Sequence, residues 1–450
     1  MYLIERIEIQ DFWGRFNATC NFNDDVNIII GKNGTGKTTF MNILNSILAV
    51  DLDSIVIENF KSADIYLQKE NKEITEQNSK DTEETESSLP DTVKISVKIL
   101  EDESDLRLSS LIEYNISGER YNVRLAPNQR QLPLSIRTKI LESKNELKKK
   151  LNKLVSLSSL SVYRLRSGED LELRNSNSSE YINPVDYRLM QLLQNLMRYQ
   201  LTLSQHSRII SSELQKDVLT SILYAKGNSN KLTLNIEFNK ESESRNLITA
   251  FSRLNAYDES VRRKIINHVD TIDKTLKAIH EEKERLNKDK NYSESFSHSD
   301  IDYRSIEAYF KTQQIIRLSL EAEEKINNIY SLLNLFLKII HEFIDDKNFT
   351  YDEGELKVNG KYGEIGINNL SSGEKQLLIL LIETLLQQGK SYIFLADEPE
   401  LSLHIAWQRK IIPAIKRLNP NAQVIAATHS PEVASRFKNN VVNMGNIVHE

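Results

Sequence analysis

The sequence predicts an α/β fold assembled from the two ends of the chain and split by a helical, antiparallel coiled-coil insertion. Three observations carry that reading. Period-two alternation and short apolar runs mark strands near both ends, whereas helical periodicity dominates the middle. From Pro184 to Asp345 no proline follows the first residue, so helices there meet no breaker. A glycine-rich loop follows an early strand and a pair of acids follows a late one; as halves of one site they require the two ends to meet. The chain therefore divides into an N-terminal lobe over 1–183, a helical insertion over 184–345 and a C-terminal lobe over 346–450.

Each element has its own signature. "YLIERIEIQDF" alternates as a strand, "VNIII" is a short buried one, and a helix starts at Lys37. Residues 62–91 are polar, acidic and rich in Ser and Thr, and most of them read as a mobile loop. "TVKISVKIL" alternates again, and "LIEYNISGERYNVRL" reads as a hairpin turning at Ser117-Gly118. A Lys-rich helix, "ILESKNELKKKLNKLV", precedes a strand candidate at Ser159 to Leu165. Its basic face reads as solvated, with nucleic-acid contact the weaker alternative.

In the insertion, a helical block runs from Tyr187 to Tyr224. Ile265, Val269, Ile272, Leu276, Ile279 and Leu286 form one apolar line, with Lys283 at the missing position. Ala322, Ile326, Ile329, Leu333, Phe336, Ile340 and Phe343 form a second. A polar connector between the lines places the tip of an antiparallel coiled coil near 288–302, with an ordinary helical bundle as the alternative. Strands return in "FTYDEGELKVNG", "SYIFLADE" and "QVIAATH".

Composition sets limits. Hydrophobic residues make up 39% and charged residues 27%, and 58 Lys and Arg against 64 Asp and Glu give a net charge of -6. That balance offers no global attraction to nucleic acid. The single cysteine, Cys20, excludes an intrachain disulfide and fits a reducing cytoplasm. No apolar run reaches the roughly 18 residues of a membrane helix, and the N-terminus lacks a signal-peptide pattern. A cytoplasmic protein without membrane contact is expected.

The chemistry concentrates at two places. Gly31-Lys32-Asn33-Gly34-Thr35-Gly36-Lys37-Thr38 fits the Walker A pattern, after a strand and at a helix start. Backbone amides around Asn33, Gly34 and Gly36 turn inward on phosphate oxygens, the helix N-terminus adds positive potential, and Thr39 completes the lining. Lys37 reaches the β/γ-phosphates of ATP and Thr38 ligates Mg²⁺. "YIFLADEPE" supplies the other half as a Walker B strand: Asp397 supports the Mg²⁺ shell and Glu398 polarises the attacking water.

In this order the motifs resemble those of ABC-type ATPases of the SMC, Rad50 and RecF kind, whose P-loop head is split by a coiled coil. The resemblance covers roughly 1–60 and 350–450. It implies that "LSSGE" (Leu370 to Glu374) is the signature motif, whose Ser371 hydroxyl and Gly373 amide close over the γ-phosphate held by a second head. It further implies a D-loop at Pro399 to His404, a switch histidine at His429 acting in catalysis with Glu398, and an auxiliary phosphate contact from Arg15. Gln68 is the weak candidate for a Q-loop glutamine, and Trp13 reads as core or interface.

"LSSGEKQ" with "ADEPELSLH" is closest to the OLD-type, AAA15-like branch. "FWGRF" with "DVNIIIGKNGTGKTTFMNIL" resembles the AriA family, ATPase subunits of PARIS anti-phage systems, with the PtuA-type subunits of Septu systems as the alternative. This resemblance implies pairing of heads at minimum, and a larger ring in defence members. It also implies a separate nuclease effector, of Toprim type rather than HNH type, and a phage-encoded trigger protein. Many OLD-type proteins carry a C-terminal Toprim nuclease, and this chain ends soon after His429, so the nuclease is expected on another polypeptide. A RecF-type DNA-repair ATPase is the competing reading, disfavoured by the acidic charge; a transporter subunit fails on the helical insertion.

Overall fold

The computed structural model describes residues 1–70, 90–100, 110–125, 134–159, 171–175, 178–221, 238–254, 256–288, 303–352 and 354–450. It forms two compact units, one from Met1–Met197 with Leu335–Glu450 and one from Arg198–Asn334.

In chain order, β1 (Tyr2–Phe12), β2 (Phe16–Asn21) and β3 (Val26–Ile30) precede α1 (Lys37–Ala49) and α2 (Leu52–Ile57). β4 (Ser62–Lys69), β5 (Thr92–Leu100), β6 (Ser110–Ile116) and β7 (Glu119–Leu125) follow, then α3 (Leu134–Leu154), β8 (Leu157–Ser159), β9 (Leu171–Asn175) and β10 (Ser178–Ile182). Four helices come next: α4 (Pro184–Ser221), α5 (Lys240–Arg253), α6 (Glu259–Lys288) and α7 (Tyr303–Phe343). The chain continues through β11 (Asn348–Asp352), β12 (Glu355–Gly360), β13 (Gly363–Ile365) and α8 (Ser372–Leu386). It closes with β14 (Tyr392–Asp397), α9 (Ile405–Leu418), β15 (Ala422–Ala427), α10 (Pro431–Ala434), β16 (Val441–Asn443), α11 (Met444–Ile447) and β17 (Val448–His449).

Two sheets organise the first unit. A parallel sheet runs β16-β3-β15-β14-β8, so strands from both ends of the chain are interleaved within it. An antiparallel sheet runs β17-β2-β1-β4-β5-β6-β7. α1 is apolar on nearly every side, burying Phe40, Met41, Ile43, Leu44, Ile47 and Leu48, as a helix enclosed by protein must. Those residues share one core with Ile4, Ile7 and Ile65 of the antiparallel sheet and Ile393, Leu395 and Ile425 of the parallel one. The buried Tyr114 of β6 donates its hydroxyl proton to the carbonyl of Ile47. Cys20 lies in the same core, where burial pushes its thiol up to about 12; it is packing, not chemistry.

β4 corrects the sequence reading. Ser62–Lys69 was expected to open a loop, yet it is a central strand paired with β1 and β5. Ala63, Ile65 and Leu67 face the core while Asp64, Tyr66 and Gln68 occupy the other side. The polar half of that alternation hid the apolar half. Residues 71–89 of the expected loop, and 160–165 of the strand expected from Ser159, lie outside the described residues. In α3, Leu147, Leu151 and Leu154 join the core, Lys148 and Lys149 are exposed, and Lys150 pairs with Glu119.

Gln423 of β15 stitches the two sheets together. It is fully buried, accepts from the amide of Ile4 and donates to the carbonyls of Ile4 and Asn23. Gln423→Ala would strand those buried groups, and each orphan costs about 1–3 kcal/mol. Urea unfolding of the full chain should show a loss on the order of 3 kcal/mol; an unchanged midpoint would refute this account of the junction.

The second unit pairs α6 with α7 in antiparallel sense. Ile265 and Val269 share a cluster with Ile316, while Ile272 and Leu276 meet Ile306 and Tyr309. The expected line on α6 is therefore a seam. On α7 the seam lies upstream of the expected line, because α7 starts at Tyr303 and its 41 residues serve both units. Phe336, Ile340 and Phe343 are instead buried in the first unit, where Phe343 packs edge-on against Trp407. A third helix, α5, adds Leu247 to the cluster. The expected tip beyond Lys288 lies outside the described residues, and among those described no helix is long and apolar enough to cross a membrane.

Candidate functional site

The carboxyl ends of parallel strands are where ligands bind in sheets of this kind. Here β3, β15 and β14 lie side by side, with Ile29 opposite Ala427 and Ala427 opposite Asp397. The row sets the start of the Gly31–Gly36 loop, the His429 segment and the Asp397-Glu398 pair on one edge.

The loop turns into α1 at Gly36, whose φ of 93° is the left-handed conformation that favours glycine. A side chain there would also strike the rings of Phe12 and Trp13, 2.9 and 3.0 Å from the position of its Cβ. The β1–β2 turn is thus built to lie against the phosphate loop. Asn33 and Gly34 are exposed at its crest, and Thr38 and Thr39 are half-buried in the first turn of α1.

Lys37 is buried with its ammonium folded into the loop, donating to the carbonyls of Gly31 at 2.9 Å and Lys32 at 3.2 Å. His429 Nδ1 lies 3.5 Å from the same ammonium. Burial pulls the Lys37 pKa down, and the charges of Glu398, Asp397 and Glu400 oppose that shift. Three carboxylates thus reach one lysine electrostatically. Glu398 stands at φ 50°, an uncommon value for a residue with a side chain, and its amide donates to Ala427 at 2.7 Å. Backbone strain of this sort collects at functional sites.

Glu400 and Gln408 escaped the sequence reading. One Glu400 oxygen accepts from the Thr428 hydroxyl and from the amides of His429 and Ser430, at 3.0 and 3.1 Å. The Ser430 hydroxyl donates to Gln408, whose amide nitrogen donates to the Leu403 carbonyl. The acid in "DEPE" was visible in the sequence, but its partners depend on strand register.

The residues of the expected signature motif open α8. Ser371 caps α8: its hydroxyl donates to Glu374 Oε2 at 2.9 Å and accepts the Glu374 amide at 3.3 Å. Glu374 is itself held by Lys347 at 2.6 Å; burial raises its pKa, but Lys347 and Ser371 outweigh that and leave it lowered. Gly373 is required by close approach, since a Cβ would sit 2.5 Å from the carbonyl oxygen of Ser402 in the D-loop. Leu401 and Ile405 flank that contact and are exposed.

Arg15 is exposed on the β1–β2 turn, its guanidinium over the ring of Phe16. Trp13 is half-buried and stacked on Phe12, as the packed reading expected. Gln68 is not placed to serve as a Q-loop residue. It pairs with Leu3 at the opposite end of β1 from the turn that abuts Gly36, about 30 Å away at strand rise.

The donors present fit a magnesium nucleotide. Among the described residues no group of three His, Cys, Asp or Glu side chains is arranged to hold a metal. One carboxylate, Asp397, and one hydroxyl, Thr38, suit an ion that arrives with phosphate oxygens and keeps water.

Comparison with known proteins is consistent with this geometry. A family model described as AAA ATPase domain matches residues 1–434. The Retron Ec83 probable ATPase of Escherichia coli is 31% identical over 133 residues, 25% of this chain and 24% of that protein. Septu protein PtuA of Bacillus thuringiensis is 33% identical over 104 residues, 20% of this chain and 26% of that protein. The DNA double-strand break repair Rad50 ATPase of Aeropyrum pernix is 35% identical over 71 residues, 15% of this chain and 8% of that protein. The chain thus spans about a quarter of the length of the first two relatives and less of the third.

Proposed function

The chain belongs to the AAA ATPase domain family, and from that footing we propose that it is the ATP-hydrolysing sensor and scaffold subunit of an anti-phage defence system. The observation that carries the chemistry is the meeting of Lys37, Glu398 and His429 at one sheet edge. The Lys37 ammonium and the amides of Asn33, Gly34 and Gly36 hold the phosphates, with Thr39 and Arg15 as further contacts. Glu398 takes the proton of the attacking water, and His429 lies toward the γ-phosphate. Mg²⁺, held by Thr38 and Asp397, supplies charge neutralisation on the phosphates.

Ser371 and Gly373 serve the nucleotide of a second head, so the chain works as a pair at minimum. Ser371 supports this by being exposed at the start of α8. The defence reading is supported by the likeness to the Septu and retron proteins. By the resemblance to AriA-type subunits, the scaffold holds a Toprim-type nuclease inactive and releases it when a phage trigger protein engages. The likeness to PtuA makes an HNH nuclease the variant of this reading.

Affinity purification of the tagged chain from its own locus, with ATP and Mg²⁺, tests the proposal. A stoichiometric nuclease, lost after phage infection, is the expected result. A preparation without nuclease that binds DNA only with ATP would overturn it in favour of a repair ATPase, the activity for which the Rad50 relative is named.

A further inference from the structure

We propose that Glu400 is a positioning residue that locks the D-loop to the His429 segment, so that the two loops move as one body. The inference rests on the ATPase reading of Lys37, Glu398 and His429, and it adds a residue and a coupling to it.

The geometry is a closed ring. One carboxylate oxygen of Glu400 gathers three donors from consecutive residues: the Thr428 hydroxyl and the amides of His429 and Ser430. Ser430 passes to Gln408, Gln408 to the carbonyl of Leu403, and the Leu403 amide returns to the carbonyl of Glu400 at 2.9 Å. Thr428 is fully buried, and its amide donates to Ile29 at the end of β3. Each loop is therefore referenced to the strand that carries the phosphate loop. Amide donors to a carboxylate are among the stronger protein hydrogen bonds.

The ring has two outputs. On one side it fixes the backbone of His429, whose ring nitrogen stands 3.5 Å from the Lys37 ammonium. On the other it fixes the D-loop, whose Ser402 carbonyl presses on Gly373 of the signature helix. Leu401, at 52% exposure, and Ile405, at 61%, lie on the outer surface of that same turn. A push on this surface from a neighbouring molecule therefore reaches His429 through Glu400 without crossing the nucleotide.

Three full-length variants test this: Glu400→Ala, Glu400→Gln and, as a separate control, Glu398→Gln. Glu400→Ala should leave the ATP dissociation constant within about threefold while kcat falls about 10- to 100-fold, the scale of a misplaced catalytic group. Glu400→Gln keeps an acceptor in place and should restore most of kcat. A structural defect alone would move affinity with kcat and would not be rescued. Hydrogen exchange supplies a readout independent of turnover: in Glu400→Ala the amides of His429 and Ser430 should lose protection while those of 31–39 keep theirs. Unchanged protection at His429 and Ser430, or parental kcat in Glu400→Ala, would overturn the lock. Normal turnover in Glu398→Gln would instead remove Glu398 as the base, and a parent chain that hydrolyses no ATP would sink the ATPase reading, with the exchange result still deciding the lock.

Discussion

Glu398→Gln is expected to bind ATP with parental affinity and to lose turnover by about 10²- to 10⁴-fold, the usual worth of a positioned general base. The substitution removes the charge and the basic oxygen while keeping the size of the side chain. Glutamine has the same shape, keeps the amide hydrogen bond to Ala427, and tolerates φ 50° no worse than glutamate. The phosphate loop is untouched, so the groups that hold ATP remain. Glu398 heads the charges that support Lys37 against desolvation, and in the bound state the phosphates supply that support instead. With hydrolysis blocked, the γ-phosphate stays between the heads, so association measured by sedimentation with ATP should strengthen. Fluorescent-nucleotide titration and phosphate release, measured together, check both halves. Turnover at the parental rate would show that Glu398 is not the base.

The phosphate loop was legible in the sequence because its spacing is fixed by the ligand it serves. Gly36, Lys37 and Thr38 carry the spacing expected of a turn, a phosphate-binding cation and a Mg²⁺ ligand, and no tertiary contact is required to see that pattern. The same holds for the acids after "YIFLA"; the capping pair Ser371 and Glu374 is equally local but was read only as part of the signature motif. The lock at Glu400 was not legible. Its partners are chosen by the register that sets Asp397 opposite Ala427 and by the approach of α9, and neither leaves a spacing in the chain. β4 was missed for another reason: half of its residues face away from the core, and their polarity made the segment read as loop. On α7 the periodicity was real but its partner was misjudged, since Phe336, Ile340 and Phe343 of the expected line are buried in the first unit, while α6 meets Ile306, Tyr309 and Ile316 upstream of that line.

Ser371→Ala should cut turnover by about 10²-fold, the cost of removing one donor aimed at developing charge, while ATP binding to the same chain is nearly unchanged. In the isolated head the Ser371 hydroxyl is engaged with Glu374, and Lys347 holds that carboxylate from the other side. Loss of the cap should weaken the start of α8 by about 1 kcal/mol, a small effect because the rest of the helix is buried on nearly every side. The fall in turnover must then come from the phosphate that Ser371 serves, and mixing chains shows whose phosphate that is. A Ser371→Ala chain keeps its own Lys37 and Glu398, whereas a Glu398→Gln chain keeps its own Ser371. Either alone is strongly impaired. Together they form pairs in which one site joins a sound phosphate loop and base to a sound signature serine. Recovery of phosphate release on mixing means that each head completes its neighbour's site. If the mixture stays as impaired as its parts, Ser371 acts within its own chain, and the paired-head scheme is wrong.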